Sequence, residues 1–246
     1  MVPTLRFSLS KEKYELLFTK HYGADRGARS PMKSYGQRCP VARALDVVGD
    51  RWSLLVVREL MVGPRRYRDL QDGLPGIGTN VLATRLRELT EAGILARQQL
   101  PPPSGAAVYE LTDAGRALGP VLGALWKWGT QHAPPPRRND PMRPAWVLPT
   151  AAAAANGVTP GLVGELRVDA EAFTLTGEAD RLIVGSGGAD RADVVIAFGS
   201  DDLYDLLAGR RAARASRRRA TVTGDVRLAD ELLGALHGTV TDPGGT

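Results

Sequence analysis

Asn80, Thr84 and Arg87 recur at intervals that place them along one side of a helix, with Ala83 beside them, while Leu82, Leu86 and Leu89 occupy the opposite stripe. Their side chains suit the edges of base pairs. Asn bonds bidentately to adenine, Arg to guanine or phosphate, and Thr or Ala meets the thymine methyl. Thr79 stands where an N-cap belongs, and the unpaired amides of a helix's first turn also attract phosphate. A solvated surface helix would show the same pattern, so the neighbouring elements must decide.

Those neighbours occur in a definite order. Val41, Leu45 and Val48 mark one helix, and Trp52, Leu55, Val56 and Leu60 a second that stops at Gly63-Pro64. A short helix over Tyr67–Asp72 leads through Gly73-Leu74-Pro75-Gly76 into the helix from Thr79 to the stop at Gly93. Ile94–Leu100 and Ala107–Thr112 then read as two strands around a Pro/Ser/Gly tip. This order predicts a winged helix-turn-helix, with the helix after Thr79 in the major groove. The candidate DNA contacts are Thr79, Asn80, Ala83, Thr84, Arg85 and Arg87, with Arg66, Arg68 and Arg97 alongside.

Thr112 is expected to start a single helix running from Asp113 to His132, on which Leu118, Val121, Leu122, Leu125 and Trp128 form an apolar stripe. The stripe can pack on its own core or pair with a twin across a two-fold axis, and the second reading is adopted. Residues 133–150 carry Pro134-Pro135-Pro136, Pro141, Pro144 and Pro149, which predicts an extended spacer, and Ala151–Ala155 is expected to open a short helix. Gly161–Val168, Ala172–Thr176, Asp180–Gly185 and Asp193–Phe198 read as strands. A helix capped by Ser200 over Asp201–Leu207, a strand Ala220–Thr223 and a helix Leu228–Leu236 follow. The fold class is therefore mixed α/β in two domains. Residues 1–31 are an extension, with a short amphipathic helix at Lys11–Phe18 and an upstream start ahead of Met32. The DNA-binding and dimerisation domain spans 32–132, the linker 133–150 and a small α+β domain 151–246.

Two resemblances add to this. Cys39-Pro40-Val41, Val48-Gly49-Asp50-Arg51-Trp52-Ser53-Leu54-Leu55, Arg58-Glu59-Leu60, Tyr67-Arg68-Asp69-Leu70, Leu74-Pro75-Gly76-Ile77 and Tyr109-Glu110-Leu111-Thr112 resemble HxlR-type transcription regulators over about residues 35–130. The resemblance implies a homodimeric repressor or activator on a two-fold operator, with the segments before and after the reading helix building the dimer. Gly78 and Asn80 depart from the usual hydroxyl and basic residue, and the tip Pro101-Pro102-Pro103-Ser104-Gly105 has no Lys or Arg. Phe173-Thr174-Leu175, Val194-Val195-Ile196, Leu206-Leu207-Ala208-Gly209 and Val222-Thr223-Gly224-Asp225 resemble a sterol-carrier-protein type of domain over about residues 155–240. That implies an apolar tunnel for a hydrophobic small molecule, although a filled core shows the same positions.

Charge and isolated side chains bound the rest. The net +5 conceals an asymmetry, because residues 151–246 hold 10 basic against 14 acidic side chains and the basic surplus lies with the reading helix. That favours phosphate binding by the N-terminal half. Cys39 is the only cysteine, which excludes an internal disulfide and fits a reducing, cytoplasmic compartment. Lying before Pro40 at a helix start, with Arg38 and Arg43 near, it is a candidate for attack on oxidants or electrophiles; the plain alternative is a small residue buried in the dimer region. The resemblance implies the sensing role, since relatives that respond to quinones or aldehydes use a Cys there. Arg210, Arg211, Arg214, Arg217, Arg218 and Arg219 read first as a solvated arm. His21, His132 and His237 have no Cys partner, Gly76-Ile77-Gly78 and Gly185-Ser186-Gly187-Gly188 lack the context of phosphate loops, and no catalytic constellation is visible. No enzyme, metal or cofactor is expected, nor a membrane partner. The expected partners are double-stranded DNA, a second copy and a hydrophobic effector. The rival reading is a lipid-ligand carrier with a non-functional winged helix.

Overall fold

The computed structural model describes residues 34–103, 105–137, 140–155, 157–179 and 181–237. The extension over 1–31, with its helix at Lys11–Phe18, lies outside the described residues.

The first unit runs α1 (Pro40–Val48), α2 (Ser53–Leu60), β1 (Arg65–Arg66), α3 (Tyr67–Gly73), α4 (Thr79–Glu91), β2 (Leu95–Gln99) and β3 (Ala107–Leu111). Val56, Val57, Leu60, Leu70, Leu74, Leu82, Leu86, Leu89, Leu95 and Leu111 make one buried core. The wing is a three-stranded antiparallel sheet, order β1-β3-β2, with Leu95 opposite Leu111 and Arg65 opposite Tyr109. The two-residue strand β1 is too short to leave a period-2 signature in the sequence.

The expected helix over Asp113–His132 is two helices. Thr112 caps the first as expected, its Oγ1 accepting from the Gly115 amide at 3.1 Å. The break falls between α5 (Asp113–Arg116) and α6 (Gly119–His132), where Pro120 sits in the first turn of the new helix. A proline has no amide to continue the preceding helix but fits the start of another. The restart turns α6 so that its stripe divides. Leu122 is buried in the N-terminal core with Leu118 packed against it, whereas Val121, Leu125 and Trp128 stay exposed. Val41, Leu45 and Leu55 are exposed as well, so part of the apolar periodicity in α1 and α2 serves no core of this chain.

The linker expectation is overturned in its second half. Pro144–Ala152 is a helix, α7, with Pro144 in its first turn and Pro149 inside it, and all of its residues but Trp146 are buried. An interior proline costs a helix roughly 3 kcal/mol. Here apolar burial on every side outweighs that local preference, as expected of a helix hydrophobic all round. The alanine run closes this helix rather than opening one.

After it come β4 (Val163–Val168), β5 (Glu171–Glu178), β6 (Arg181–Ser186), β7 (Val194–Phe198), α8 (Ser200–Leu207), α9 (Ala213–Arg217), β8 (Thr221–Gly224) and α10 (Val226–His237). The five-stranded sheet has order β6-β5-β4-β7-β8, and only β4 and β7 run parallel. Gly199, not Ser200, is the N-cap of α8; the Ser200 hydroxyl instead donates to Asp169. The arginine run is a solvated arm only in part, since Arg214 and Arg218 are exposed while others are paired. Part of it forms α9, Arg211 pairs with Asp202 and with Asp205 (3.0 Å), Arg219 with Asp202 (2.5 Å) and Arg217 with Asp230 (2.6 Å). The Arg219 hydrogen bond, with that of Arg211, holds the Asp202 carboxyl below its ordinary range although burial opposes this.

The two units are joined directly. Val62 belongs to the C-terminal core, and its carbonyl accepts from the Ser186 amide at 2.9 Å. The Trp146 indole donates to the Gly73 carbonyl at 3.0 Å and lies beneath the Arg58 guanidinium, 5.0 Å from the ring centroid. A Cβ at Gly123 would stand 3.0 Å from the Ala153 backbone, so α6 and the end of α7 touch through a glycine. Behind Arg58, the Glu59 carboxylate is buried and accepts from Arg58 Nη2 at 2.8 Å. Burial raises its pKa above the ordinary 4.5, and Arg58 only partly offsets that. A group that holds its proton more tightly when folded favours folding at low pH, and that advantage fades as pH rises past the unfolded value. Stability is therefore expected to fall as pH increases above about 4.5, and Glu59→Gln to flatten that slope in urea titrations at stepped pH. An unchanged slope would place the titration elsewhere.

Candidate DNA interface

Helix α4 is fixed from beneath and on both flanks. Leu82, Leu86 and Leu89 are at most 1% exposed, so their stripe cannot rotate without leaving the core. Its N-terminus is gripped by α3, where the Tyr67 hydroxyl donates to the Thr79 carbonyl at 2.9 Å and Gln71 Nε2 to Thr79 Oγ1 at 3.1 Å. Gly76, at φ +86°, supplies the left-handed residue of the turn between the two helices, and Leu74 and Ile77 anchor it in the core.

The opposite face is open. Asn80, Ala83 and Arg87 are exposed and Thr84 is half-buried on the same side. Val81, 43% exposed, joins them and was not singled out from sequence, because an apolar residue among polar ones reads as noise until its direction is known. Thr79 is not the cap: Gly78 is the N-cap and offers no side chain, so Thr79 is the first helical residue and its hydroxyl is held by Gln71. Arg85 departs from the DNA-facing set. It points toward the α1–α2 junction, paired with Asp50 and with Glu88 at 2.9 Å, and its side chain is 16% exposed. Its charge is committed to holding α4 on the domain.

Arg66 and Arg68, at the β1–α3 junction, are exposed, and so is Arg97 on β2, in register with Tyr109. The wing tip over Pro101–Pro103 is exposed and carries no cation. Cys39 is exposed in the single chain, the N-cap residue of α1, and its thiol caps nothing. Exposed basic side chains thus occur at the β1–α3 junction and on β2 as well as on the polar face of α4.

The family model described as HxlR-like helix-turn-helix matches residues 47–137. The HTH-type transcriptional regulator YodB of Bacillus subtilis is 36% identical over 98 residues, which are 39% of this chain and 88% of that protein. The chain belongs to the HxlR-like family. A regulator of Synechocystis, sll1512, is 38% identical over 110 residues, 45% of this chain and 82% of its own length. Reduced YodB has been solved and is 34% identical with a TM-score of 0.37, covering 41% of this chain and 100% of YodB; it is also known in quinone-bound form. The HxlR-like match covers the elements from α2 to α6 and none of the sheet from β4 to β8. As an HxlR-like chain, the protein is a helix-turn-helix transcription regulator that binds DNA. Among the described residues no helix is long and apolar enough to cross a membrane.

Proposed function

We propose that this chain acts in the cytoplasm, by binding rather than catalysis, as a homodimer that reads a two-fold operator through α4. The observation that carries the reading is the division of α4 into a fully buried leucine stripe and an open face of Asn80, Ala83, Thr84 and Arg87. The apolar surface left uncovered on α1 and α6, with Val41 66%, Val121 46% and Trp128 59% exposed, supports a second copy seated there. Two reading helices about 34–36 Å apart would then meet successive major grooves. Selection of bound fragments from a random DNA pool tests this. Enrichment of an inverted repeat with that half-site spacing is expected; salt-sensitive binding with no preferred sequence would sink it. Val121→Glu is expected to weaken dimerisation at least tenfold by burying an unpaired carboxylate, read by sedimentation or light scattering across a dilution series.

The C-terminal unit, in this proposal, is the sterol-carrier-like module that tunes operator affinity in response to a small hydrophobic molecule. The order of its strands and helices supports this. A second input is the exposed Cys39 thiol, favoured by the sequence relation to YodB, which is known in quinone-bound form. In that reading the S–H bond breaks as Sγ adds to a ring carbon of the quinone, and the thiol proton goes to one carbonyl oxygen. The proton on the attacked carbon moves to the other, leaving an aromatic hydroquinone joined to the protein by a C–S bond. Cys39→Ser should then abolish any effect of benzoquinone on operator binding. An effect that survives in the variant would remove Cys39 from the proposal.

A further inference from the structure

Leu203, Leu206, Leu207, Leu232, Leu233 and Leu236 have no accessible surface, so the C-terminal unit is filled where they stand. What this unit does offer the DNA-binding helices is one side chain that reaches across the junction. Trp146 alone among the residues of α7 is not buried, and it packs on the C-terminal core from the side of the first unit. Two guanidiniums lie over its ring, Arg58 of α2 at 5.0 Å and Arg143 at 5.5 Å from the centroid. Both attract the ring face and so fix its direction. The ring so held aims its N–H at the Gly73 carbonyl, 3.0 Å away.

Gly73 is the last residue of α3, where no further turn supplies amides to the final carbonyls. Trp146 therefore does for α3 what a C-cap does, from 73 positions along the chain. The space beside Gly73 is closed as well. A Cβ there would overlap the buried Glu59 carboxylate of α2. The end of α3 is thus wedged between α2 and α7. From it the chain passes buried Leu74 and Ile77 and reaches Gly78, the N-cap of α4. Helix α3 also grips α4 directly, since Tyr67 and Gln71 both bond Thr79. Whatever holds α3 holds the start of the reading helix.

We propose that Trp146 is a positioning residue for operator binding, through which the C-terminal unit fixes the end of α3 and so the angle at which α4 meets the groove. The proposal rests on the regulator reading above and gives the second unit a part in it. Base-edge contacts are bidentate and specific in geometry, whereas phosphate contacts follow a backbone that is alike at every step. Loss of the strut therefore costs sequence discrimination before it costs DNA binding.

The test uses the full chain, the operator selected from the random pool, and an unrelated duplex of equal length. Trp146→Phe keeps an aromatic ring beneath the arginines but has no N–H for Gly73. Its affinity for the operator should fall about fivefold to tenfold, with affinity for the unrelated duplex unchanged. Leu166→Ala opens a cavity in β4 of the C-terminal sheet and lowers stability without removing the strut, so operator affinity should stay at the wild-type value. Arg143→Gln removes one cation from the ring and leaves the N–H, and a loss of about twofold to threefold on the operator alone is expected. An operator bound alike by wild type and Trp146→Phe would overturn the proposal. So would equal losses on both duplexes, or an equal loss in Leu166→Ala, because these mark a structural role only. Should Trp146→Phe not fold, Arg143→Gln decides by the same comparison. A chain with no preferred sequence overturns the regulator reading and this inference together, whereas an operator indifferent to Trp146 overturns this inference alone.

Discussion

Arg87→Ala weakens operator binding by about 1–3 kcal/mol and relaxes the preference at one base pair per half-site. The physical ground is the direction of the side chain. Arg87 is exposed on the face opposite Leu86, and among the described residues no carboxylate pairs with it, so its five donors are available to guanine. Binding isotherms on the selected operator and on single-base variants separate two contacts. A base contact loses affinity mainly on the cognate base, whereas a phosphate contact loses it uniformly and lowers the slope against log salt by about one. Uniform loss would move Arg87 to the backbone. Arg85→Ala is the internal contrast. Its partners Asp50 and Glu88 belong to the protein, and Asp50 is 66% exposed, so the loss should be a small one in stability, about 0–1 kcal/mol.

Leu148→Ala should cost about 2–5 kcal/mol of unfolding free energy in chemical denaturation. Leu148 has 0% of its surface accessible and sits mid-way along α7, against the C-terminal core. Were residues 133–150 the extended spacer that their prolines suggest, the same substitution would change almost nothing, because a solvated leucine has no cavity to leave behind. A change below about 0.5 kcal/mol would therefore return this segment to linker status. Because α7 also presents Trp146 to Gly73, the variant should loosen the junction and separate the unfolding of the two units, visible as a second transition.

Where the sequence misled, a local preference was outvoted by burial. Pro149 argued against a helix, and the apolar residues around it made one nonetheless, since a core on all sides outweighs one lost hydrogen bond. The arginine run looked solvated because its partners Asp202, Asp205 and Asp230 lie up to 17 residues away, beyond what spacing can show. Arg85 was indistinguishable from Arg87 by type. Only the rotation of α4 sends one inward to Asp50 and the other outward.

The order of helices, turn and hairpin over residues 39–112, and which side of α4 faces out, followed from the sequence by itself, because a 3.6-residue period and Gly/Pro punctuation act between near neighbours. The tertiary structure alone decided that Pro144–Ala152 is core, that Arg211, Arg217 and Arg219 are paired, and that Trp146 holds the turn at Gly73 across 73 positions of chain. These are contacts between distant residues, and no periodicity records them. Burial and pairing energies depend on what the folded chain brings alongside, not on what lies next in line.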